Sequence, residues 1–297
     1  MAIRTIIAAI ALAPGDGPVA ARAMRLAAEH GARLVLVHAI ESLPAADPAL
    51  PAPADEAAVS EVLMAEARTA LEAMVATRGV EAAIELHFGP AAPLLERLAR
   101  GFGADLLVIG PGKPQNLREK LFGSTADRLV RAIPCPVLVV KRATDRAYRR
   151  VIAATDFSPT AFAAAQAAMR VAPQAALELV HVLEIPLSFE QAMMKVGTPQ
   201  TAVDRYRRAR AGAAREALRA LRAELPQLED SRMRVVHGDA ATALLRLARA
   251  RTTDLVAVGM QGRSAIAEAV LGSVARRVLA AAPCDVLLAR GSDSASE

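Results

Sequence analysis

The sequence predicts an α/β protein built as two tandem doubly wound domains, each a five-stranded, mostly parallel sheet flanked by helices. Three observations carry that reading. The 297-residue chain repeats itself at a period of about 150 residues. Short apolar runs alternate with longer segments of helical period. Those runs are apolar throughout rather than alternating, which marks strands covered on both faces.

The repeat is direct. Arg4–Ala11 (RTIIAAIA) matches Arg149–Asp156 (RRVIAATD), and Ala32–Glu41 (ARLVLVHAIE) matches Ala175–Glu184 (AALELVHVLE). From Gly89 onward the register is constant: Gly89–Gly110 matches Gly238–Gly259, and Pro134–Lys141 (PCPVLVVK) matches Pro283–Arg290 (PCDVLLAR). Roughly 20 of about 55 aligned positions there are identical, and the period is far above that of a solenoid, so each copy is a domain. The boundary falls in the polar stretch Arg142–Arg149, giving domains 1–144 and 145–297. The opening MAIRTIIAAIALA has the look of a short signal peptide, but its counterpart lies mid-chain. A strand is expected there, and the cytoplasm as compartment.

In chain order the strands expected are Thr5–Ile10, Arg33–Ala39, Glu81–Phe88, Asp105–Ile109 and Val137–Val140, then Val151–Ala154, Leu177–Leu183, Arg232–His237, Asp254–Val258 and Val286–Ala289. Helical spacing falls between them, at Pro18–His30, Asp55–Arg78, Ala92–Arg100 and Ser124–Ala132. The second copy has it at Pro159–Val171, Ala202–Leu225, Ala241–Arg249 and Ser273–Ala281. Ser42–Pro53, with four prolines, is expected to be an extended loop.

Composition narrows the function. At 54% hydrophobic, with a mean hydropathy of +0.28, the chain is too apolar for disorder and long enough to bury a core. No apolar run reaches the ~18 residues of a membrane span. Two cysteines, Cys135 and Cys284, exclude a disulfide framework or a cysteine-based zinc site and read as small buried hydrophobes. The net charge of +5 invites a nucleic-acid partner, but Trp is absent and aromatics are 3%, leaving little for base stacking. The densest basic cluster is Arg205, Arg207, Arg208, Arg210, Arg215, Arg219 and Arg222. It lies on a helical segment where Val203, Tyr206, Ala213, Ala217, Leu221 and Leu225 share one face, so a solvated basic face is expected rather than an anion site.

In an open parallel sheet, ligands bind at the carboxyl ends of strands where the winding reverses. Right-handed crossovers and an order of 3-2-1-4-5 put that point between the first and fourth strands. In the second copy those ends are Asp156-Phe157-Ser158-Pro159 and Gly259-Met260-Gln261-Gly262, followed by Arg263 and then Gly272-Ser273, a G-x2-G-x9-G-S spacing. Glycines let backbone N–H groups approach phosphate oxygens, and a helix opening at Ser273 favours an anion. Asp156 faces them as an acceptor for ribose hydroxyls. Duller roles compete: Asp156 or Ser158 can cap the next helix, with Pro159 in its first turn, and the glycines can simply turn the chain. His38 and His181, at equivalent strand ends, are expected to be hydrogen-bonded core residues.

The segments VIAATDFSP, LVAVGMQGRSAIAEAVLGSVARRVL and PCDVLLA together resemble the universal stress protein family, in its tandem form, over nearly the whole chain. The strand order draws on this resemblance as well as on crossover handedness. The resemblance implies an adenine nucleotide alpha hydrolase-like fold and a stress-response regulator that binds ATP with Mg²⁺, or a related adenine nucleotide. Ribose and base contact falls to Asp156, adenine contact to the backbone around Val182, and phosphate contact to Gly259, Gly262, Gly272 and Ser273, with Arg263 beside the phosphates. The first copy departs from the pattern: Ala11 replaces the Asp and Lys113 the second glycine, with Pro111 and Pro114 stiffening the loop, while Gly110, Gly123 and Ser124 remain. Its site is expected to be degenerate.

No general base or Walker-type lysine accompanies the motif, so slow ATP hydrolysis is the most catalysis expected. An adenylyl-transferring enzyme and a non-binding scaffold are the competing classes. No membrane partner is expected, and the protein partner is unknown. Paired last strands would give an intrachain pseudo-dimer, as in dimers of the family. Met193, Met194 and the proline-rich stretch offer surface for two chains to associate.

Overall fold

The structure is a computed structural model that describes residues 2–13, 17–40, 56–112, 132–144, 146–225, 228–250, 252–262 and 271–291. The chain divides into two compact units, Met1–Arg146 and Ala147–Glu297. In the first, β1 (Thr5–Ala9), α1 (Gly17–His30), β2 (Arg33–Ile40), α2 (Glu56–Ala76), β3 (Ala82–Phe88), α3 (Ala91–Gly101), β4 (Leu106–Ile109) and β5 (Val137–Val139) follow in order. Its strands pair in the order β3-β2-β1-β4-β5, all parallel. The helix expected at Ser124–Ala132, the loop Ser42–Pro53, and Lys113, Pro114, Gly123 and Ser124 fall wholly or largely outside the described residues.

The second unit comprises β6 (Arg150–Ala154), α4 (Pro159–Val171), β7 (Ala176–Leu183), α5 (Leu187–Lys195), α6 (Gln200–Ala223), β8 (Arg232–His237), α7 (Ala240–Ala248), β9 (Leu255–Gly259), α8 (Ser273–Ala281) and β10 (Asp285–Ala289). Its order is β8-β7-β6-β9-β10, again all parallel. The doubly wound order expected from the sequence is therefore present in both units. Central strands read as apolar throughout because both faces are covered: Val151, Ile152 and Ala153 of β6 and Leu255 to Val258 of β9 are all buried. Each such Val or Leu contributes about 1.5–3 kcal/mol of transfer free energy.

Helix α4 lies on β6, β9 and β10. Its buried face is alanine (Ala161, Ala164, Ala165, Ala167 and Ala168), so the helix sits close to the sheet. Ser158 caps it, accepting from the Ala161 N–H at 3.3 Å, and Pro159 occupies the first turn. Of the two residues able to cap, Ser158 has the role. Helix α6 lies on β7 and β8 through Val203, Ala211, Ala214, Leu218 and Leu221. That stripe is rotated from the expected one, with Ala213 exposed and Ala211 and Ala214 buried.

Helix α5 was not expected. Pro186, Gly197 and Pro199 bracket it too tightly for a periodic pattern to register. It is tied to α6 by Glu190, whose two carboxylate oxygens accept from Nε and Nη2 of Arg207, each at 2.6 Å. Those bonds hold the Glu190 carboxyl below the usual range and raise the Arg207 guanidinium. The link joins residues 17 apart in sequence, beyond any local signal.

Equivalent side chains pin both units. Asp105 Oδ2 accepts from the N–H groups of Arg4 (2.8 Å) and Thr5 (3.1 Å), and Asp254 Oδ2 accepts from Arg149 (2.8 Å) and Arg150 (3.0 Å). At the other strand end, His38 Nδ1–H donates to the Ile10 carbonyl at 2.7 Å and His181 Nδ1–H to that of Thr155 at 2.8 Å. Both histidines thus take the hydrogen-bonded role.

Asp239 caps α7, accepting from the Thr242 N–H at 2.9 Å and from the Thr242 hydroxyl, and receives Nη1 of Arg277 on α8 at 3.0 Å. The Thr242 hydroxyl, then the Thr242 N–H, then Arg277 lower its carboxyl to about 2. A folded value below the unfolded one stabilises the protein at higher pH and is lost on acidification. Asp239→Asn is expected to lower the melting temperature at neutral pH, with the gap to wild type closing as the pH falls from about 4 toward about 2. Thermal melts of both proteins across pH 2–8 measure it.

Candidate functional site

The carboxyl end of β6 runs into a tight turn. The Phe157 N–H donates to the Thr155 hydroxyl at 3.0 Å and the Ser158 N–H to Asp156 Oδ1 at 3.0 Å. Phe157 is left-handed, with φ 65°, a conformation that costs an aromatic residue on the order of 1–3 kcal/mol. Its ring packs on His181 at a centroid distance of 4.5 Å, and His181 in turn holds the Thr155 carbonyl. The turn thus leaves the second oxygen of the half-buried Asp156 facing the neighbouring strand end.

That neighbour is the segment after β9. A Cβ on Gly262 would lie 3.0 Å from Asp156 Oδ2, so a side chain there meets the carboxylate. A Cβ on Gly272 would lie 3.4 Å from the Met260 carbonyl and 3.6 Å from the Gly262 nitrogen, and the Gly272 N–H donates to that same carbonyl at 2.8 Å. The two glycines therefore lie side by side opposite Asp156. Gly272 is also the N-cap of α8 and supplies no capping side chain. Among the described residues no side chain caps the first N–H groups of α8, from Ser273 onward.

Gly259 differs from the other two. A Cβ on it would fall 2.7 Å from Thr160 Oγ1 and 2.8 Å from the Ala161 nitrogen. Its bareness lets β9 end against the first turn of α4, a packing requirement. Thr160, which the sequence reading passed over, joins the two turns. Its hydroxyl donates to the Gln261 carbonyl and lies 3.1 Å from the Ser158 hydroxyl. The partner is 101 residues away, and the only hint in sequence is one more small hydroxyl after Pro159.

Gly262 thus lies against Asp156 and Gly272 beside Gly262 in the crevice at the carboxyl ends of β6 and β9, while Gly259 packs on α4 and Ser273 opens α8 next to Gly272. Val182 lies one strand over, half-buried on β7 and in register with Val236. Arg263 lies outside the described residues. Among the described residues there is no cluster of three or more metal-ligating side chains, and no helix is long and apolar enough to cross a membrane.

Two doubly wound units in tandem, each with its topological switch point at the carboxyl ends of its first and fourth strands, define a tandem α/β protein. The family model of the universal stress proteins matches residues 2–141 and again 147–290, and the chain belongs to that family. A universal stress protein of Mycobacterium tuberculosis is 28% identical over 277 residues, covering 87% of this chain and 88% of that one. One from Methanocaldococcus jannaschii is 32% identical over 137 residues, covering 43% of this chain and 79% of its own. Among solved structures, a universal stress protein of Archaeoglobus fulgidus shares the fold at a TM-score of 0.67 and 16% identity, covering 96% of this chain and 98% of that one.

Gly259→Ala tests the packing reading. Its Cβ meets backbone and a hydrogen-bonded hydroxyl, so a loss of about 1–3 kcal/mol is expected. Denaturant unfolding should show a lowered midpoint with an unchanged slope.

Proposed function

We propose that the protein is a nucleotide-dependent stress-response regulator whose second unit binds ATP, or a related adenine nucleotide. The observation that carries this reading is the pairing of the Asp156 carboxylate with Gly262, Gly272 and the uncapped start of α8. An acceptor for sugar hydroxyls then faces main-chain donors for phosphate, the two recognition needs of a nucleotide. Asp156 would accept from the ribose and the backbone at Val182 would meet the adenine. The N–H groups around Gly262, Gly272 and Ser273 would hold the phosphates, with Arg263 adding charge and Mg²⁺ as counter-ion.

The first unit has Ala11 in place of the carboxylate and Lys113 in place of the second glycine, so its site is proposed to be degenerate. Ligand binding to the folded second unit stabilises it by about 2.7 kcal/mol at a hundredfold excess over Kd. That energy can select one surface conformation without turnover. Among the described residues no side chain at the crevice is placed as a general base, so any hydrolysis is expected to be slow. The proposed compartment is the cytoplasm.

Mass spectrometry of small molecules released on denaturing the purified protein is the direct test, and an adenine nucleotide is expected. Calorimetry should give one site per chain. Gly262→Lys drives a side chain into the Asp156 carboxylate and should weaken binding at least tenfold, about 1.4 kcal/mol. Asp156→Ala should cost a comparable amount through lost charged hydrogen bonds. Two equal sites, or normal binding by Gly262→Lys, would sink the reading.

A further inference from the structure

An open cavity of about 820 Å³ lies between the carboxyl ends of β7 and β8 and the flank of α6. Its volume is that of a small-molecule site. Leu183 and His237, register partners on adjacent strands, line it together with Ile185. From α6, Asp204, Arg208, Ala211 and Arg215 recur at helical spacing along the cavity wall, and the small, buried Ala211 leaves the hollow between the two arginines. Val182 and Leu183 are successive strand residues and point to opposite faces of the sheet. None of the cavity's lining residues is among those assigned to the nucleotide crevice, although Leu183 directly follows Val182.

Its charges do not cancel. Arg207 also lines the cavity, but both oxygens of Glu190 bind it at 2.6 Å, and Asp204 Oδ1 lies 3.4 Å from its Nη1. Glu190 is thus paired with Arg207, while Asp204 Oδ1 accepts chiefly from Gln200 Nε2 at 3.0 Å. Three lining arginines against two carboxylates leave the cavity a net charge of +1. Among the described residues, Arg208 and Arg215 have no carboxylate partner; Arg208 Nε donates only to the Asp204 carbonyl at 3.3 Å. The Cα atoms of Arg208 and Arg215 are about 10 Å apart along the helix, within range for two long side chains to converge on one ligand. His237 adds a third donor group opposite them.

We propose that this cavity binds a small organic phosphate, its phosphate held by Arg208, Arg215 and His237 and its apolar body laid against Leu183 and Ile185. A phosphomonoester presents three terminal oxygens to three donor groups, where a carboxylate presents two. Planar guanidinium forks suit phosphate in particular. The Glu190–Arg207 link fixes α5 beside the cavity and keeps both of its own charges out of the ligand's way.

Calorimetric titration of the full chain with phenyl phosphate is the test. Saturable binding is expected, tighter than that of inorganic phosphate. Arg208→Gln/Arg215→Gln changes two exposed side chains and leaves the fold intact by circular dichroism; it should weaken binding at least tenfold. Arg205→Gln/Arg219→Gln, equal in charge but off the cavity, should leave binding unchanged. Asp156→Ala should also leave it unchanged, which separates this site from the nucleotide crevice whether or not that crevice binds ATP. The proposal is overturned if wild type binds no phenyl phosphate at millimolar concentration, or if inorganic phosphate binds as well. Equal loss in both arginine pairs, or loss in Asp156→Ala, overturns it too.

Discussion

The carboxyl edge of the second sheet depends on one close approach. With no side chain on Gly259, β9 ends directly against the first turn of α4, where Thr160 reaches across to the Gln261 carbonyl. That contact brings the β6 turn and the β9 turn into one structure, and only then does Asp156 come opposite Gly262. A methyl group at 259 would push the two strand ends apart before any ligand could matter. The carboxylate, the two glycines and the uncapped helix end are thus consequences of packing first and chemistry second.

Comparison of the two units separates the frame from the chemistry. Leu12 in the first unit is left-handed at φ 54°, as Phe157 is at φ 65° in the second. His38 and His181 hold equivalent carbonyls, and Asp105 and Asp254 pin equivalent strand starts. The turn geometry is present where the carboxylate is absent, since Ala11 precedes Leu12 as Asp156 precedes Phe157. A strained backbone is therefore no marker of a working site here. What holds the strain is a histidine bond made within each unit's own strands, so the frame outlasts loss of the acidic side chain.

Much of this was legible in the amino-acid order. Strands covered on both faces declare themselves as unbroken apolar runs, and helices such as Pro159–Val171 and Ser273–Ala281 begin at their proline and glycine signals and end where their period does. What escaped was set by contacts between distant residues. α5 is tied to α6 by Glu190 on Arg207 and by Phe189 on Tyr206; its own short span, with prolines at both ends, carries too little periodicity to announce a helix. Glycine spacing pointed to Gly259, Gly262 and Gly272 alike, yet the three differ in what surrounds them. Only the fold shows that one is bare for packing and two for proximity to a carboxylate and to each other.

The arginines of α6 show the same limit from the other side. A run of seven reads as a solvated face because sequence gives their spacing but not their partners. Arg205, Arg208, Arg210, Arg215 and Arg219 are indeed exposed, and Arg208 and Arg215, with the half-buried Arg207, also border a hollow at Ala211. Two carboxylates reach that hollow, Glu190 bound to Arg207 and Asp204 shared between Gln200 and Arg207, so three arginines there outnumber the acids by one. This positive hollow lies at the carboxyl ends of β7 and β8, and the Asp156 crevice at those of β6 and β9. The two therefore occupy neighbouring strand ends at one end of the sheet, with Val182 and Leu183 successive on β7.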